Sequence, residues 1–547
     1  MEKITITLNN NKIVVNKNTT LLNIIKITND KTNPIGALIN NEICELSFPV
    51  RENSTIEFFP YYSPNGLEMY KRALKFIYIE AIKNTLNTSV RLLHSIDKGL
   101  YTQINTNKSL STKTLFKIKE EMKRIIKENY PIIKTSANRK SVIKYFIENK
   151  DIEKATLYKQ QQTDTVTIYE LNNSYNYFYG PMPTSTGIIK YFDLELVGNK
   201  EIVLQFPYNQ TNIIPKYTPK ILSLGVYKEY NKTIASLGVQ YISDLNNIIL
   251  HSKINEFIKI NEILHNDKLS IIASNIYKIK SNIKLVLIGG PSSSGKTTTS
   301  KKLALYLKAK GLNPFIISTD DYFLNRDETK IDEDGKRNYE AIDSIDLKLF
   351  NKHLKALLNN KEVTIPTYNF LTGEKEYKNK PVNLKERDLI IIEGLHTMNE
   401  ELTKSIPRNK KYKIYASPFT PLAIDKHNHI SSVDIRLIRR LVRDNSHRGY
   451  SADQTLTQWP KVREGENKYV FPYQEDADII YNTAIIYELG VLKTYAQPLL
   501  SSIEEDNINY ETAKRLLNFL KLFLPVPETF IPDTSLLKEF VGTSYFK

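Results

Sequence analysis

The sequence contains a single cysteine, Cys44, and a single tryptophan among its 547 residues. One thiol excludes a disulfide framework and excludes cysteine-rich zinc sites. No apolar run approaches the roughly 20 residues that cross a bilayer. The first residues, MEKITITLNN, lack the charged and then apolar layout of a signal peptide. We therefore expect a soluble, cytoplasmic protein that makes no membrane contact.

Acidic residues are also fewer than basic residues. The chain has 60 Asp and Glu against 76 Lys and Arg, a formal net charge of +16. This balance favours anionic partners, but the basic residues are spread along the chain and form no block, so nucleotides are favoured over RNA. Apolar residues make up 41% of the chain, which is enough for packed cores. The length predicts about three or four domains.

Residues 283–300, IKLVLIGGPSSSGKTTTS, join an apolar run, the pattern GxxxxGK[ST] and a helical pattern. The run predicts a strand buried on both faces. The glycines let backbone N–H groups surround phosphates, and the helix adds its positive end. Lys296 is predicted to reach the β- and γ-phosphates, and Thr297 to bind Mg²⁺. The predicted ATP-binding residues are Gly290, Pro291, Ser292, Ser293, Ser294, Gly295, Lys296, Thr297 and Thr298.

Two further apolar strands end in carboxylates, in PFIISTDDYF (314–323) and RDLIIIEGLH (387–396). Ligands bind at the carboxyl edge of a parallel sheet, where such strands end. Asp320 or Asp321 is therefore predicted to accept the proton of an attacking hydroxyl and to lie near Mg²⁺. Glu393 is predicted to hold Mg²⁺ or its waters.

A helix rich in arginine follows at residues 434–450, DIRLIRRLVRDNSHRGY. Arg436, Arg439, Arg440 and Arg443 are spaced to share one face, and Arg448 lies in the turn after them. Beside a triphosphate, such a face is a lid that stabilises the transferring phosphoryl group. We predict Arg439 and Arg443 to be catalytic.

Together these segments resemble the uridine–cytidine kinase and phosphoribulokinase group of P-loop kinases. The matching pieces are GPSSSGKTT, STDDYF, NYEAIDSIDLKLF (338–350), IPTYNF (365–370), IIEG and RLIRRLVRD. The resemblance implies a doubly wound α/β kinase domain that uses ATP and Mg²⁺. It assigns Asp320, the first of the aspartate pair, as the base for a nucleoside 5′-hydroxyl and as a neighbour of the metal.

The resemblance also implies a substrate site. Aromatic side chains face the base, and polar ones contact the ribose. The assigned residues are Tyr339, Glu340, Tyr368, Phe370, Arg436, Arg448 and Gln454. Two positions depart from the family, which usually has aspartate at Glu340 and a histidine against the base at Gly373. We therefore expect a kinase that accepts uridine but separates it poorly from other nucleosides. Replacing Gly373 by histidine is expected to sharpen the preference for pyrimidines, provided that the glycine is not needed for a positive φ.

The front half carries a second resemblance. Residues 1–62 alternate as strands around a short helix and resemble the β-grasp TGS domain of threonyl-tRNA synthetases. The segments KIKEEMKRIIKENYPI (117–132) and YGPMPTSTGIIKYFDLELV (179–197) resemble the α+β editing-type domain that follows it there. The HxxxH positions of that domain fall on Tyr70 and Leu74, and its Cys and His positions fall on Phe178 and Met182. None of these four side chains can bind a metal or transfer a proton. We therefore expect neither hydrolysis of mischarged tRNA nor bound zinc.

We thus predict a multidomain α/β and α+β chain of the bacterial type that joins TGS, editing-like and kinase domains. The segments are 1–62 (TGS), 63–215 (editing-like), 216–280 (helical connector), 281–500 (P-loop kinase) and 501–547 (C-terminal helix and tail).

The leading hypothesis is an ATP-dependent kinase for uridine or a related nucleoside. The alternatives are a kinase for another sugar-like hydroxyl, and an RNA-binding or tRNA-surveillance protein with an ATP switch. The sequence does not decide whether the front half binds RNA or whether the chain forms homo-oligomers.

Overall fold

A computed structural model describes residues 2–208, 212–332, 335, 337–369, 372–378, 380–384, 389–420, 422–542 and 544–546. Two modules of mixed sheet and helix precede a helical region, and a parallel sheet follows it. Within these ranges, no helix is both long and apolar enough to cross a membrane.

The N-terminal module is a small mixed sheet packed on one helix. Its elements are β1 (Lys3–Leu8), β2 (Asn11–Asn16), β3 (Thr19–Thr20), α1 (Leu21–Thr28), β4 (Gly36–Ile39), β5 (Glu42–Glu45), β6 (Pro49–Val50) and β7 (Ser54–Phe59). The main sheet has the order β2-β1-β7-β4-β5, with β1 parallel to β7. Ile4, Ile6 and Leu8 alternate into the core, as the period of two along a strand requires.

The second module contains a four-stranded sheet and a three-stranded sheet. Its elements are α2 (Pro64–Leu86), β8 (Val90–Ile96), β9 (Gly99–Ile104), α3 (Thr112–Lys127), β10 (Ile132–Asn138), α4 (Arg139–Glu148), α5 (Ile152–Lys159), β11 (Thr165–Leu171), β12 (Ser174–Asn176), β13 (Asp193–Leu196) and β14 (Glu201–Gln205). The sheet orders are β13-β14-β9-β8 and β10-β11-β12. The TGS and editing-type identities of these two modules stay predictions.

The four positions onto which the resemblance maps the editing-domain ligands lie together in the apolar core of the second module. Tyr70, Leu74, Phe178 and Met182 are all buried in that cluster. The Tyr70 hydroxyl is already engaged by the backbone, since it donates to the Tyr191 carbonyl oxygen at 2.8 Å. Close packing of this kind leaves no space for a hydrated ion.

His94, a further buried polar residue of this module, is enclosed by aromatic rings. Its imidazole stacks on Tyr101, with ring centroids 5.0 Å apart, and on Tyr227 of the helical region. Burial lowers the pKa of His94 well below its usual value. A neutral ring held in this way serves packing between the second module and the helical region.

Three helices connect this module to the parallel sheet: α6 (Ile221–Ser236), α7 (Ile242–Leu250) and α8 (Ile254–Lys278). Phe257, Ile258 and Ile272 of α8 share one core with the central strand of the parallel sheet. The connector is therefore part of the hydrophobic core of the C-terminal half.

That half contains β15 (Leu285–Gly289), α9 (Lys296–Ala309), β16 (Phe315–Ser318), α10 (Leu347–Leu358), β17 (Thr367–Asn369), β18 (Glu374–Glu376), β19 (Ile390–Glu393), β20 (Lys411–Ser417), β21 (Ala423–Asp425), β22 (Asn428–His429), α11 (Ser432–Arg448), α12 (Ala452–Tyr469), β23 (Ile479–Asn482), α13 (Glu488–Ser501) and α14 (Tyr510–Leu520). The sheet order is β16-β19-β15-β20-β23, and its pairs are parallel. Every residue of β15 and β19 is buried, as helices on both faces of a parallel sheet require. The carboxyl ends of these strands meet at one edge.

The hairpin β21–β22 docks this half onto the second module. The Lys426 carbonyl oxygen accepts a hydrogen bond from Leu92 N of β8 at 2.8 Å. Next to it, the buried Lys154 side chain lies 2.7 Å from Nδ1 of His427, and Asn176 lies 3.0 Å from the same nitrogen. The front modules are therefore joined to the kinase half by backbone and buried polar contacts.

The first prediction concerns metal in the front half. We expect the purified protein to contain no stoichiometric zinc, because the Tyr70, Leu74, Phe178 and Met182 side chains fill the former ligand space with a packed core. Elemental analysis of the full chain measures this. One zinc per chain, lost on Met182→Ala but not on the distant surface change Lys12→Ala, would contradict it.

Candidate active site

The loop between β15 and α9 is shaped to hold phosphates. Gly295 has φ of +83°, a left-handed conformation that glycine adopts without strain. A Cβ at Gly290 would lie 2.0 Å from the Ala416 carbonyl oxygen, so only glycine fits there. Helix α9 begins at Lys296, and its first backbone N–H groups form the positive end that attracts anions.

A cavity of about 850 Å³ opens over this loop at the carboxyl edge of the sheet. The loop contributes Ser292 to Thr298, and the neighbouring strand ends contribute Asp320 and Glu393. Other predicted residues that line the same cavity are Tyr339, Glu340, Tyr368, Arg443 and Arg448. One cavity thus brings together the predicted phosphate site, the predicted base and most of the predicted substrate residues.

Thr297 and Glu393 form a pair of oxygen donors beside the loop. The Thr297 hydroxyl donates to Oε1 of Glu393 at 3.2 Å. Burial and the nearby charge of Asp320 raise the pKa of Glu393 to about 7, although Lys296 opposes the shift. Hydroxyl and carboxylate oxygens fit Mg²⁺, which usually takes only one or two carboxylates besides waters and phosphates. In keeping with this, the described residues hold no cluster of three acidic, His or Cys side chains suited to a metal.

Asp320 and Asp321 are adjacent in a short turn after β16 but point to different places. Asp320 lines the cavity. Asp321 turns towards β17, where its Oδ1 accepts from Tyr368 N at 3.4 Å, and burial raises its pKa to about 6. Asp320 is thus positioned for a substrate hydroxyl, and Asp321 supports the strand that carries Tyr368.

Arg436 and Arg439 lie behind the phosphate-binding loop, which corrects the expectation that they touch the reactants. Arg436 pairs with Glu466, and Nε of Arg439 lies 2.6 Å from Oε2 of Glu488. Both are buried, and both donate to loop carbonyl oxygens, those of Ser292 at 3.2 Å and Ser293 at 3.4 Å. All four arginines lie on α11, but Arg436 and Arg439 lie against the loop, whereas Arg440 and Arg443 line the cavity.

The arginines of α11 that line the cavity are Arg440, Arg443 and Arg448. Nη1 of Arg440 donates to the Ser292 hydroxyl at 3.0 Å, and Nη2 of Arg443 lies 2.7 Å from Oδ1 of Asp444. The buried Asp444 carboxylate also faces Arg448 at 3.6 Å. Guanidinium groups anchored in this way stabilise charge on a transferring phosphoryl group without reorganising.

Besides Arg436, one predicted substrate residue that the structure describes, Gln454, does not line the cavity. Gln454 is exposed, and its side chain accepts from Ser451 N at 2.9 Å as part of a capping box at the start of α12. Gln458, one turn further along that helix, lines the cavity instead. Phe370 lies outside the described residues.

Gly373 stands where the family resemblance would put a histidine. It has φ of +79°, and a Cβ built there would lie 2.6 Å from Nε of Arg326 and 2.8 Å from its Cβ. Arg326 N also donates to the Gly373 carbonyl oxygen at 2.8 Å. The condition for a useful Gly373→His change is therefore not met, because the backbone is left-handed and Arg326 fills the space.

The remaining walls are aromatic and acidic. Phe323, which sequence reasoning missed, lies 6.3 Å from the Tyr339 ring and 5.6 Å from the Tyr368 ring. Burial raises the pKa of Glu340 to about 7, against the nearby charge of Arg440. The cavity therefore also offers flat rings and a carboxyl group.

The C-terminal tail also reaches the phosphate loop, and no phosphate-binding pattern in its sequence signals this. Oε2 of Glu539 accepts from Thr298 N at 3.1 Å. Leu536 packs against Gly295, and Lys301 donates to the Phe546 carbonyl oxygen at 2.9 Å. A carboxylate of the protein therefore occupies a backbone amide at the start of α9, where a phosphate would be attracted.

Comparison with known proteins agrees with this geometry. Residues 285–485 match the Phosphoribulokinase / Uridine kinase family. The uridine kinase of Macrococcus caseolyticus (strain JCSC5402) is 29% identical over 201 residues, 37% of this chain and 88% of that relative. The uridine kinase of Staphylococcus aureus (strain JH9) is 28% identical over 197 residues, 36% of this chain and 86% of that relative. A solved structure of D-glycerate 3-kinase from Cryptococcus neoformans var. grubii covers 38% of this chain and 88% of its own, at 15% identity and a TM-score of 0.27.

The C-terminal part of the chain is thus a P-loop kinase domain, and the protein is an ATP-dependent kinase. More closely, that part is a domain of the uridine kinase and phosphoribulokinase family.

The second prediction separates the two aspartates. Asp320→Asn keeps the size of the side chain but removes the proton acceptor, and loss of a general base typically lowers kcat by about a hundredfold to ten-thousandfold. Asp321→Asn is the matched control and is expected to cost far less, because Asp321 contacts the Tyr368 backbone. Steady-state kinetics compare the two. A larger loss for Asp321→Asn would move the base one residue along the chain.

The third prediction concerns the tail. Glu539→Gln is expected to lower the Kd of Mg·ATP by roughly tenfold, because the carboxylate competes with phosphate for a charge-assisted hydrogen bond to Thr298 N. The control Asp533→Asn removes the same charge from an exposed position of the tail. Titration calorimetry with a non-hydrolysable ATP analogue measures both. If Glu539→Gln but not Asp533→Asn weakened binding of the ATP analogue, the Glu539 carboxylate would assist nucleotide binding rather than compete with it.

Proposed function

We propose that the enzyme transfers the γ-phosphoryl group of ATP to the 5′-hydroxyl of uridine or a related nucleoside. The observation that carries this proposal is the composition of the single cavity. Lys296, Thr297 and Asp320 lie in the same cavity as the rings of Tyr339 and Tyr368. A triphosphate site, a carboxylate and a stacking surface are the three parts that such a reaction needs.

The phosphate end supplies charge stabilisation. Nζ of Lys296 donates to the Pro291 carbonyl oxygen at 3.0 Å, within its own loop. Burial lowers the pKa of Lys296, and the carboxylates of Glu393 and Asp320 oppose that shift. Lys296 and the loop amides would hold the phosphates, and Thr297 and Glu393 would hold Mg²⁺ or its waters. Mg²⁺ bound there would neutralise charge on the β- and γ-phosphates.

The substrate end supplies orientation. Asp320 would accept the 5′-hydroxyl proton while Arg440, Arg443 and Arg448 stabilise the transferring group. Tyr339 and Tyr368 would stack on a flat ring, because aromatic faces bury large apolar area at low entropic cost. Glu340 is a hydrogen-bond partner for ribose hydroxyls, in either protonation state near neutral pH.

A kinase for an anionic sugar is the second candidate, and one observation favours it. Arg326, Arg337 and Lys461 line the cavity in addition to the cations of the phosphate loop and of α11. Lys461 is paired with Asp332 at 3.1 Å, and cations in this wall would suit a carboxylate or phosphate on the substrate.

The fourth prediction tests the reaction. A coupled assay of ADP formation is run with ATP, Mg²⁺ and uridine, cytidine, adenosine or guanosine. At least one nucleoside is expected to be turned over to its 5′-monophosphate, identified by mass spectrometry. Lys296→Ala is expected to remain folded and to abolish turnover, because the lost charge contacts phosphate rather than the core.

The same assay distinguishes the second candidate. Glycerate and ribulose 5-phosphate are added as parallel substrates. Turnover of one of these without turnover of any nucleoside would contradict the proposed substrate and favour the anionic sugar. Wild-type kcat in Lys296→Ala would contradict the catalytic assignment of the loop.

A further inference from the structure

The C-terminal tail runs along the first turns of α9. Oε2 of Glu539 accepts from Thr298 N at 3.1 Å, and Nζ of Lys301 donates to the Phe546 carbonyl oxygen at 2.9 Å. Thr298 and Lys301 are three residues apart and therefore lie on the same side of the helix, about 4.5 Å from each other along its axis. The end of the tail thus lies one helical turn beyond the amide that Glu539 contacts.

The tail is held in this position by its own contacts. Tyr545 N donates to the Asp533 carbonyl oxygen at 3.2 Å, and Phe546 N donates to the Ser544 hydroxyl at 3.1 Å. The preceding segment is anchored in the hydrophobic core of the kinase half through Leu536, Leu537, Phe540 and Val541. The backbone that carries Phe546 is therefore fixed both by the tail itself and by α9.

The tail forms part of the wall of the active-site cavity. Lys538, Glu539, Ser544 and Phe546 line that cavity. Among these four tail residues, Phe546 alone carries an aromatic ring. The neighbouring ring of Tyr545 is nearly perpendicular to it, with centroids 5.4 Å apart, and Tyr545 is 69% exposed. One of two adjacent rings thus faces the site and the other is largely in solvent.

The position of the tail along the phosphate loop indicates which part of ATP it would meet. In this type of loop, Lys296 reaches the β- and γ-phosphates, Thr297 binds Mg²⁺, and the backbone amides surround the α- and β-phosphates. The base of a nucleotide is joined through its ribose to the α-phosphate, at the opposite end from the transferring group. The tail contacts α9 at Thr298 and Lys301, past the two residues that serve the β- and γ-phosphates. The base of ATP is therefore expected on the side of the tail.

We propose that Phe546 is a stacking surface for the base of the nucleoside triphosphate donor. The tail would then complete the ATP site from outside residues 285–485, the part that matches the kinase family. Stacking on an aromatic ring accepts any base, because every base has a π face. ATP and GTP are thus both expected to bind. The contact concerns the phosphate donor, so it does not depend on which hydroxyl is phosphorylated.

Three variants test the role of Phe546. Phe546→Leu keeps an apolar side chain but removes the ring, whereas Phe546→Tyr keeps the ring. Tyr545→Leu is the matched control, since it makes the same kind of change at the adjacent, exposed position. Circular dichroism and thermal unfolding of the full chain confirm that each variant is folded.

The readout is the Kd, from titration calorimetry in Mg²⁺, of non-hydrolysable analogues of ATP and GTP and of inorganic tripolyphosphate. Tripolyphosphate has the phosphates of the donor but no base. Phe546→Leu is expected to weaken binding of both nucleotides by about tenfold or more, as loss of base stacking does, and to leave tripolyphosphate unchanged. Phe546→Tyr and Tyr545→Leu are expected to keep the wild-type Kd for all three. Glu539→Gln differs from these variants, because it acts at a phosphate amide and is expected to tighten binding of all three ligands.

Each other outcome would overturn the proposal in its own way. Unchanged nucleotide binding by Phe546→Leu would show that the ring does not contact the base, and tighter binding would show that the tail obstructs it. An equal loss of affinity for tripolyphosphate would show that Phe546 acts on the phosphate loop and not on the base. These measurements use no second substrate, so their result stands whether or not a nucleoside is turned over.

Discussion

Two buried ion pairs, Arg436–Glu466 and Arg439–Glu488, hold the phosphate-binding loop against helix α11. All four side chains are almost fully buried. Charges are removed from water at a high cost, and removal of one partner of such a pair typically costs about 3–5 kcal/mol. The cost is offset here because each guanidinium also donates to a loop carbonyl oxygen, and Glu466 accepts from Ser292 N at 2.9 Å. The loop conformation therefore depends on the pairs, although neither arginine touches the cavity.

A rigid loop determines the electrostatics in front of it. The amides at the start of α9, together with Lys296, create a strongly positive site. The carboxylates of Glu393 and Glu539 lie beside this positive site. The tail that carries Glu539 lies beyond residues 285–485, the part that matches the kinase family. In this chain a carboxylate from outside the matched domain thus accepts a hydrogen bond from an amide at the start of α9.

The front modules are attached to this domain by contacts that serve packing. The hairpin β21–β22 extends from the kinase sheet to β8 and to the buried Lys154. Tyr70, Leu74, Phe178 and Met182 are buried in the core of the second module, and His94 lies between aromatic rings. The cavity described above lies at the carboxyl edge of the parallel sheet.

The sequence by itself determined the phosphate loop, because its glycine spacing is a local backbone requirement that no distant residue alters. It also determined the buried strands that end in Asp320 and Glu393, because an apolar run bounded by polar residues is a local sequence pattern. The direction of each side chain was decided by tertiary structure. Asp320 and Asp321 are equivalent in sequence, but only packing against β17 turns Asp321 away from the cavity. The spacing of Arg436, Arg439, Arg440 and Arg443 predicts a shared face, yet the glutamates that bury the first two come from α12 and α13. Likewise, Arg326 over Gly373 and Glu539 at Thr298 N join residues far apart in the chain. Such contacts carry no local signal, because they form only when separate elements pack together.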